Sequence, residues 1–242
     1  MKILAFDTSN TAMSVAVVDG QQLLAEKTVN VRKNHSIQLM PTIDLLLQDA
    51  KWTPQMLERI VVAEGPGSYT GLRIAATTAK TLAWTLGIDL VGVSSLQVLA
   101  QNAAMLEGQW ICPLFDARRG NFYTGLYRIN MDGQAVVIEP DTHIALVEWL
   151  DYLAHQDKTI YFVGEDAWKI KDTIKKHLAD RAYFSKAILQ TPDAWQLSQL
   201  GACKEVTDIH TFVPQYLKLA EAEANWLARH TLQEGESLVD TY

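Results

Sequence analysis

The feature that most constrains this chain is a glycine-rich segment between a predicted strand and a predicted helix. Residues 59–63 form a short β-branched run, which is typical of a buried strand. It is followed at 64–74 by Glu-Gly-Pro-Gly-Ser-Tyr-Thr-Gly-Leu-Arg-Ile, and apolar residues then recur at helical spacing as far as Gly87. A strand, a turn and a helix N-terminus capped by Ser68 or Thr70 form an anion site. The same pattern is typical of a tight turn that lets an alanine-rich helix pack closely, and the residues leave both interpretations open.

Length and composition indicate an ordinary globular chain. It has 242 residues, of which 48% are hydrophobic and 20% charged, enough for one large domain or two small lobes. The net charge of −7 argues against a protein that binds nucleic acid by itself, because phosphate binding needs clustered Lys and Arg. Cys112 and Cys203 indicate neither a disulfide framework nor a zinc site, which fits a cytoplasmic location. Asp7 interrupts the apolar N-terminus, so we predict no signal peptide and no membrane span.

Two similar strand–turn–strand patterns indicate two related lobes. Leu-Ala-Phe-Asp at 4–7 and Pro-Leu-Phe-Asp at 113–116 are each followed by a polar turn and a returning strand. Hairpin-linked strands followed by strand–helix units predict mixed sheets in an α/β architecture. A chance match between two strands that end in Asp is the alternative. We predict a helix at 193–206, which is a candidate to complete the first lobe. The expected divisions are a first lobe over 1–106, a smaller second lobe over 107–192 and a C-terminal tail over 207–242.

Two helices predicted at 36–50 and 71–86 carry more apolar surface than packing on one sheet requires. Ile37 and Met40 widen the stripe of the first helix, and Trp84 points away from that of the second. A partner interface and complete burial both explain this surplus. The main stripes contain Leu39, Ile43, Leu46, Leu72, Ala75, Ala76 and Ala79.

The glycine-rich segment, together with Ile-Leu-Ala-Phe-Asp-Thr-Ser at 3–9, resembles the TsaB family, also called YeaZ. The resemblance is most specific over 1–125 and weak from there to the C-terminal tail. It implies the two-lobed actin-like ATPase fold, with ribonuclease H-like lobes, that actin, acetate and sugar kinases and heat-shock chaperones share. Shorter matches lie at 35–36, 91–96, 116–119 and 214–217.

The resemblance also implies a function in tRNA modification. TsaB belongs to the bacterial machinery that puts threonylcarbamoyl on the adenosine beside the tRNA anticodon. We expect a non-catalytic subunit that docks on the paralogous catalytic subunit TsaD, or forms a homodimer in isolation. The complex also contains the ATPase TsaE, receives threonylcarbamoyl-adenylate from TsaC or a relative, and would provide this chain's only contact with tRNA. The implied interface residues are His35, Leu39, Ile43, Leu46, Leu72, Ala75, Ala76 and Ala79.

Both acidic turns depart from the phosphate clamp of kinases with this fold. Such kinases have a glycine in the first acidic turn, where the backbone must approach phosphate closely. The turn at 7–11 has none, and the turn at 116–120 has its glycine behind two arginines. We therefore expect no cofactor on the chain alone, and ATP only within the assembled complex. The candidate phosphate or nucleotide contacts are Asp7, Thr8, Gly65, Gly67, Ser68, Thr70 and Asp116.

Two enzymatic alternatives stay open. An independent ATP-dependent kinase or carbamoyltransferase would use Asp7, Asp116 and the glycine-rich turn. A degenerate metal-dependent glycoprotease is disfavoured, because TsaD binds metal through two histidines four residues apart and here Leu39 stands four residues after His35. Ser68 does not lie in a Gly-x-Ser-x-Gly motif, so a serine hydrolase has little support. We predict no metal site.

Overall fold

A computed structural model describes residues 1–31, 34–184 and 190–218. Within these residues the chain forms two five-stranded mixed sheets with helices on both faces of each. The part of the predicted C-terminal tail from residue 219 onward lies outside the described residues. Among those that are described, no helix combines the length and the hydrophobicity that crossing a bilayer requires.

The first sheet has the strand order β3-β2-β1-β4-β5. Its first three strands form antiparallel hairpins, whereas β1, β4 and β5 run parallel. The carboxyl ends of these three parallel strands therefore lie at one edge of the sheet, where open α/β sheets form ligand clefts. The strands are β1 (Lys2–Asp7), β2 (Met13–Asp19), β3 (Gln22–Val29), β4 (Arg59–Gly65) and β5 (Asp89–Ser94).

Three helices cover the first sheet. Helices α1 (His35–Asp49) and α2 (Tyr69–Leu86) share one apolar cluster with one face of the sheet. Ser68 caps α2 by accepting from the Gly71 N–H, and α1 continues through Pro41. A helix from much later in the chain covers the opposite face, at Ala194–Ala202, which is shorter than the predicted 193–206.

The second sheet repeats the arrangement of the first, with the order β10-β9-β6-β7-β8. In both sheets the first strand pairs antiparallel with the second and parallel with the fourth, so the two Asp-terminated strands occupy equivalent places. The duplication predicted from the sequence is confirmed. The strands are β6 (Trp110–Asp116), β7 (Asn121–Ile129), β8 (Ala135–Ala145), β9 (Ile160–Val163) and β10 (Ala182–Phe184).

The helices that follow the two sheets are exchanged between them. Helix α3 (Ser95–Gln101) follows the first sheet and packs on the second, with Leu96 and Leu99 fully buried. The helix at Ala194–Ala202, α7 in chain order, follows the second sheet and packs on the first. The exchange ties the two lobes together through both cores. The outer face of the second sheet carries α4 (Leu146–Ala154), α5 (Glu165–Lys169) and α6 (Lys171–Leu178).

The segment expected to begin a separate tail instead packs along the first lobe. The Thr207 N–H donates to the Leu90 carbonyl, which extends the edge of the first sheet, and Phe212 is buried in the cluster beneath α2. Phe212 thus adds apolar area to the core of the first lobe.

Candidate functional site

A cleft of about 790 Å³ lies between the lobes, at the carboxyl ends of the parallel strands. The turn after β1 and the start of α2 form its first wall, and the β6–β7 turn together with α5 forms the opposite wall. Residues 215–218 and the segment 190–192 complete the lining.

The cleft brings together four of the seven candidate phosphate contacts. Gly67, Ser68, Thr70 and Asp116 line it, whereas Asp7, Thr8 and Gly65 do not. Other parts of the protein cover these last three, and all three are buried.

Thr8 and Gly65 have structural contacts instead. The Thr8 hydroxyl donates to the Gly71 carbonyl at 2.8 Å, which fastens the first strand to α2. Gly65 faces the C-terminal segment: a Cβ atom added there would lie 2.6 Å from the Gln215 carbonyl oxygen. Its φ of +114° also favours glycine.

Asp7 lies beneath the cleft floor. Its Oδ1 accepts from the Ser9 N–H at 2.6 Å. Complete burial raises the pKa of Asp7, and the hydrogen bonds from Ser9 and the charge of His35 offset part of that rise. The His35 Nε2 lies 3.0 Å from the Asn10 carbonyl oxygen, which can only accept, so Nε2 carries the proton. His35 thus belongs to the cleft wall, although the sequence analysis assigned it to an interface.

The glycine-rich segment packs directly on the turn after β1. A Cβ atom at Gly67 would lie 2.3 Å from the Ser9 carbonyl oxygen, and one at Gly71 would lie 2.0 Å from that of Thr8. The Ser68 N–H donates to the same Ser9 carbonyl at 2.7 Å, so this N–H is not available to an anion. The close-packing interpretation therefore explains both glycines.

The opposite wall is held by acidic side chains that accept from backbone N–H groups of the β6–β7 turn. Asp116 accepts from the Arg118 N–H at 2.7 Å, and the Asp116 N–H donates to Asp166 at 2.9 Å. Asp166 also pairs with Lys169 at 2.7 Å, and this hydrogen bond raises the pKa of Lys169. Arg118 has a φ of +68°, in the left-handed region, which bends the turn toward the cleft. Within the described part of the chain, no cluster of three or more His, Cys, Asp or Glu could hold a metal ion.

The third wall is a strap formed by residues 212–218, which sequence reasoning missed. The Gln215 N–H donates to the Glu64 carbonyl at 2.7 Å, and the Tyr216 ring lies 5.0 Å from that of Tyr69. The Lys218 Nζ donates to the Ala117 carbonyl of the second lobe at 3.1 Å. The only sequence signal for this strap is the short family match at 214–217, since nothing in its composition indicates contact with the cleft.

The predicted interface residues lie mostly inside the protein. Apart from His35, their exposed fractions range from 0 to 7%, because they fill the space between α1, α2 and the first sheet. A partner cannot contact them without opening the core, so a contact through this pair of helices has to use other side chains. The buried residues are Leu39, Ile43, Leu46, Leu72, Ala75, Ala76 and Ala79.

Other apolar side chains of the same two helices face solvent, and we call them the helical face. The most exposed are Ile37, at 69%, and Trp84, at 71%. Met40 and Leu45 complete the helical face, at 47% and 45%.

Charge is segregated across the two helices. Helix α1 carries Asp44 and Asp49 but no Lys or Arg, whereas α2 carries Arg73 and Lys80 but no acidic residue. The Lys80 Nζ donates to the His210 and Phe212 carbonyls, so it anchors the strap. The guanidinium of Arg73 lies 5.5 Å from the ring centre of Tyr69.

Comparison with known proteins identifies the family. Residues 22–226 match the family model described as "TsaD: tRNA N6-adenosine threonylcarbamoyltransferase". The chain is 44% identical over 227 residues to the tRNA threonylcarbamoyladenosine biosynthesis protein TsaB of Bacillus subtilis (strain 168), covering 94% of this chain and 98% of that protein. The chain belongs to the TsaB family. The Escherichia coli (strain K12) TsaB is 31% identical over 55% of this chain and 58% of its own length.

Solved structures of TsaB-family proteins share this fold. YeaZ from Pseudomonas aeruginosa superposes with a TM-score of 0.73 at 25% identity, covering 89% of this chain and 99% of that one. A second Pseudomonas aeruginosa structure, of an uncharacterized protein with similarity to peptidase YEAZ, gives 0.76 at 24% identity, covering 90% and 99%. The two-lobed actin-like ATPase fold expected from the sequence is confirmed.

Proposed function

We propose that this protein is a non-catalytic subunit of the machinery that makes threonylcarbamoyladenosine in tRNA, and that it docks on a TsaD-type protein through the helical face. The observation that carries this proposal is the exposure of Ile37 and Trp84 on two adjoining helices. Large apolar side chains exposed at a protein surface mark interfaces, and Trp is enriched among residues that dominate binding energy. The similar TsaB proteins are named for threonylcarbamoyladenosine biosynthesis, which supports a function in this tRNA modification.

Charge segregation supports a partner of the same architecture. A relative built on the same fold has helices equivalent to α1 and α2, so the two pairs can form a four-helix contact. The acidic α1 would then face a basic helix and the basic α2 an acidic one, which favours the correct orientation. In isolation, a second copy of this chain would give the same charge pairing, because two-fold symmetry can place α1 of each copy against α2 of the other. We propose that TsaE and tRNA are reached only through the complex.

We also propose that the isolated chain catalyses no reaction. The Ser68 N–H already donates to Ser9, and Asp116 already accepts from the backbone of its own turn. A kinase would need such groups free for phosphate or for a metal ion. If ATP enters the cleft in the assembled complex, Gly67, Ser68 and Thr70 are the predicted contacts that line it.

The test is reconstitution of the modification with purified TsaD, TsaE, threonylcarbamoyl-adenylate and tRNA. We expect modified adenosine only when this chain is added, and no ATP hydrolysis by the chain alone. Ile37→Asp and Trp84→Glu should each abolish both the modification and co-elution with TsaD, because they bury a charge in the contact. Both side chains are mostly exposed, so the variants should retain the circular dichroism spectrum of the wild type.

Met131→Glu is the matched control, since Met131 is 89% exposed in the second lobe. It should leave modification and co-elution unchanged. Full modification without the chain would overturn the proposed function. Wild-type affinity of Trp84→Glu for TsaD would overturn the assignment of the helical face.

A further inference from the structure

The strap is fixed to the first lobe along its root. The Lys80 Nζ of α2 donates to the His210 carbonyl at 3.1 Å and to the Phe212 carbonyl at 3.0 Å. The Phe212 ring is buried in the core, and the Gln215 N–H donates to the Glu64 carbonyl at 2.7 Å. The root therefore combines a buried ring with hydrogen bonds to α2 and to the end of β4.

The tip of the strap crosses to the second lobe. The Lys218 Nζ donates to the Ala117 carbonyl at 3.1 Å, and both residues line the cleft. Lys218 is exposed, so water competes for this hydrogen bond and its net contribution to stability is small. A firmly held root with a weakly held tip is the arrangement of a latch, because the tip can release while the root stays in place.

A second contact joins the lobes on the other side of the cleft. The Asn30 Nδ2 donates to the Glu165 carboxylate, and these two residues also line the cleft. Asn30 follows β3, one edge strand of the first sheet, whereas the segment that leads into the strap pairs at Thr207 with β5, the other edge strand. The two contacts thus bridge the cleft at opposite edges of the sheet, and together they hold the lobes closed.

The strap also lies beside the helical face. Tyr69 and Lys80 are eleven residues apart on α2, and Trp84 follows Lys80 by four, so all three fall on one stripe of the helix. The strap contacts this stripe at Tyr69, whose ring lies 5.0 Å from that of Tyr216, and at Lys80. Trp84 continues the same stripe and is 71% exposed. A partner that covers Trp84 therefore lies next to the root of the strap.

We propose that the strap is a latch that holds the lobes closed over the cleft through Lys218, and that a partner covering Trp84 strengthens this latch. The partner would exclude water from the hydrogen bonds of Lys80, which makes them stronger. A better-ordered root lowers the entropy that Lys218 loses when it binds Ala117. Because coupling is reciprocal, closure of the cleft raises the affinity for the partner by the same factor. The effect of the partner rests on the proposed docking, whereas the latch itself does not.

Pulsed electron paramagnetic resonance on the full-length chain measures the closure. Spin labels are placed at Thr11→Cys, in the first wall of the cleft, and at Lys175→Cys, exposed on the second lobe. The exposed Cys203 is replaced by serine, and the buried Cys112 does not react. The distance between the labels then reports the ratio of open to closed molecules. We expect a single short distance to dominate in the otherwise unchanged chain.

Variants of the isolated chain test the latch. Lys218→Met and Asn30→Ala each remove one hydrogen bond between the lobes, so each should raise the open-to-closed ratio at least about fivefold. Lys80→Met should act in the same direction through the root. Lys158→Met is the matched control, because this exposed lysine is not part of the cleft lining, and it should leave the ratio unchanged. An unchanged ratio in Lys218→Met would overturn the latch.

A saturating amount of a TsaD-type protein tests the effect of the partner. The Asn30→Ala chain keeps the strap, so the partner should lower its open-to-closed ratio, whereas the double variant with Lys80→Met should stay open. A partner that binds without changing the ratio of Asn30→Ala would overturn the link between helical face and cleft. Absence of binding would overturn the proposed docking and this link with it, and the ratios of the isolated chain would still decide the latch.

Discussion

The two lobes share one topology but differ in what covers the outer face of each sheet. In the first lobe, the helix between the last two strands is the 18-residue α2, which exposes Trp84. In the second lobe, the equivalent connection is divided into the short helices α5 and α6. Lys175 and Lys176 are exposed on α6, and the exposed ring of Trp168 is covered by the Lys171 ammonium at 4.7 Å. Within the described residues no cation covers Trp84, so the first lobe exposes an uncovered apolar ring where the second lobe has a solvated one.

The lobes also differ in how the connecting helix approaches the first strand. Gly67 and Gly71 bring α2 against the carbonyls of Ser9 and Thr8. In the second lobe Gly164 alone makes the equivalent approach: a Cβ atom there would lie 2.9 Å from the Leu114 carbonyl oxygen. The closer contact in the first lobe places the start of α2 on the cleft floor and holds the long helix rigidly.

Gly71→Ala should therefore destabilise the first lobe, and we expect its effect on stability to be the largest of the substitutions considered. The added methyl group would lie 2.0 Å from a buried backbone carbonyl, and we expect the free energy of unfolding to fall by about 3 kcal/mol. Urea denaturation measures this loss. Gly20→Ala is the control, since its added Cβ atom would have no neighbour within 4 Å. Its positive φ should lower the free energy of unfolding by only about 1 kcal/mol. Equal losses in the two variants would contradict the close-packing explanation.

Glu64→Gln should change how stability depends on pH. Burial raises the pKa of Glu64, Lys204 lowers it, and Asp141 of the second lobe raises it further. A carboxyl whose folded pKa is raised stabilises the protein below its unfolded pKa, and this stability is lost as the pH rises through the folded pKa. The melting temperature of Glu64→Gln should thus exceed that of the wild type at pH 8 and match it at pH 4. A pH-independent difference would show that Glu64 acts through packing alone.

Arg73→Ala and Lys171→Ala should have the smallest effects, and they compare the lobes directly. Each removes a surface cation from an aromatic ring, which changes the free energy of unfolding by about 0.5 kcal/mol. Thermal unfolding should barely separate them. Calorimetry with a TsaD-type protein should separate them clearly, because only Arg73 lies on a helix of the proposed docking face. Equal loss of affinity in both would place the interface elsewhere.

Local sequence patterns predicted much of the fold because they report short-range physics. The β-branched run at 59–63, the glycine-rich turn and the apolar spacing after it predicted β4 and α2, and Ser68 does cap that helix. The repeated Asp-terminated strands predicted the duplication. These features depend on backbone geometry and periodicity, which neighbouring residues determine.

Tertiary structure decided which side of each pattern faces outward. Helical spacing shows that Leu39 and Ile43 share a face. An apolar face can pack equally well against a sheet or against a partner, and in this structure it packs against the first sheet. Separation along the chain hid the other contacts. The strap lies against Gly65, and the Glu26 carboxylate accepts from the Trp195 N–H, although the residues of each contact are distant in sequence. The sequence by itself determined the elements, the repeat and the family. Only packing decided what is buried, because burial depends on long-range contacts that no local period encodes.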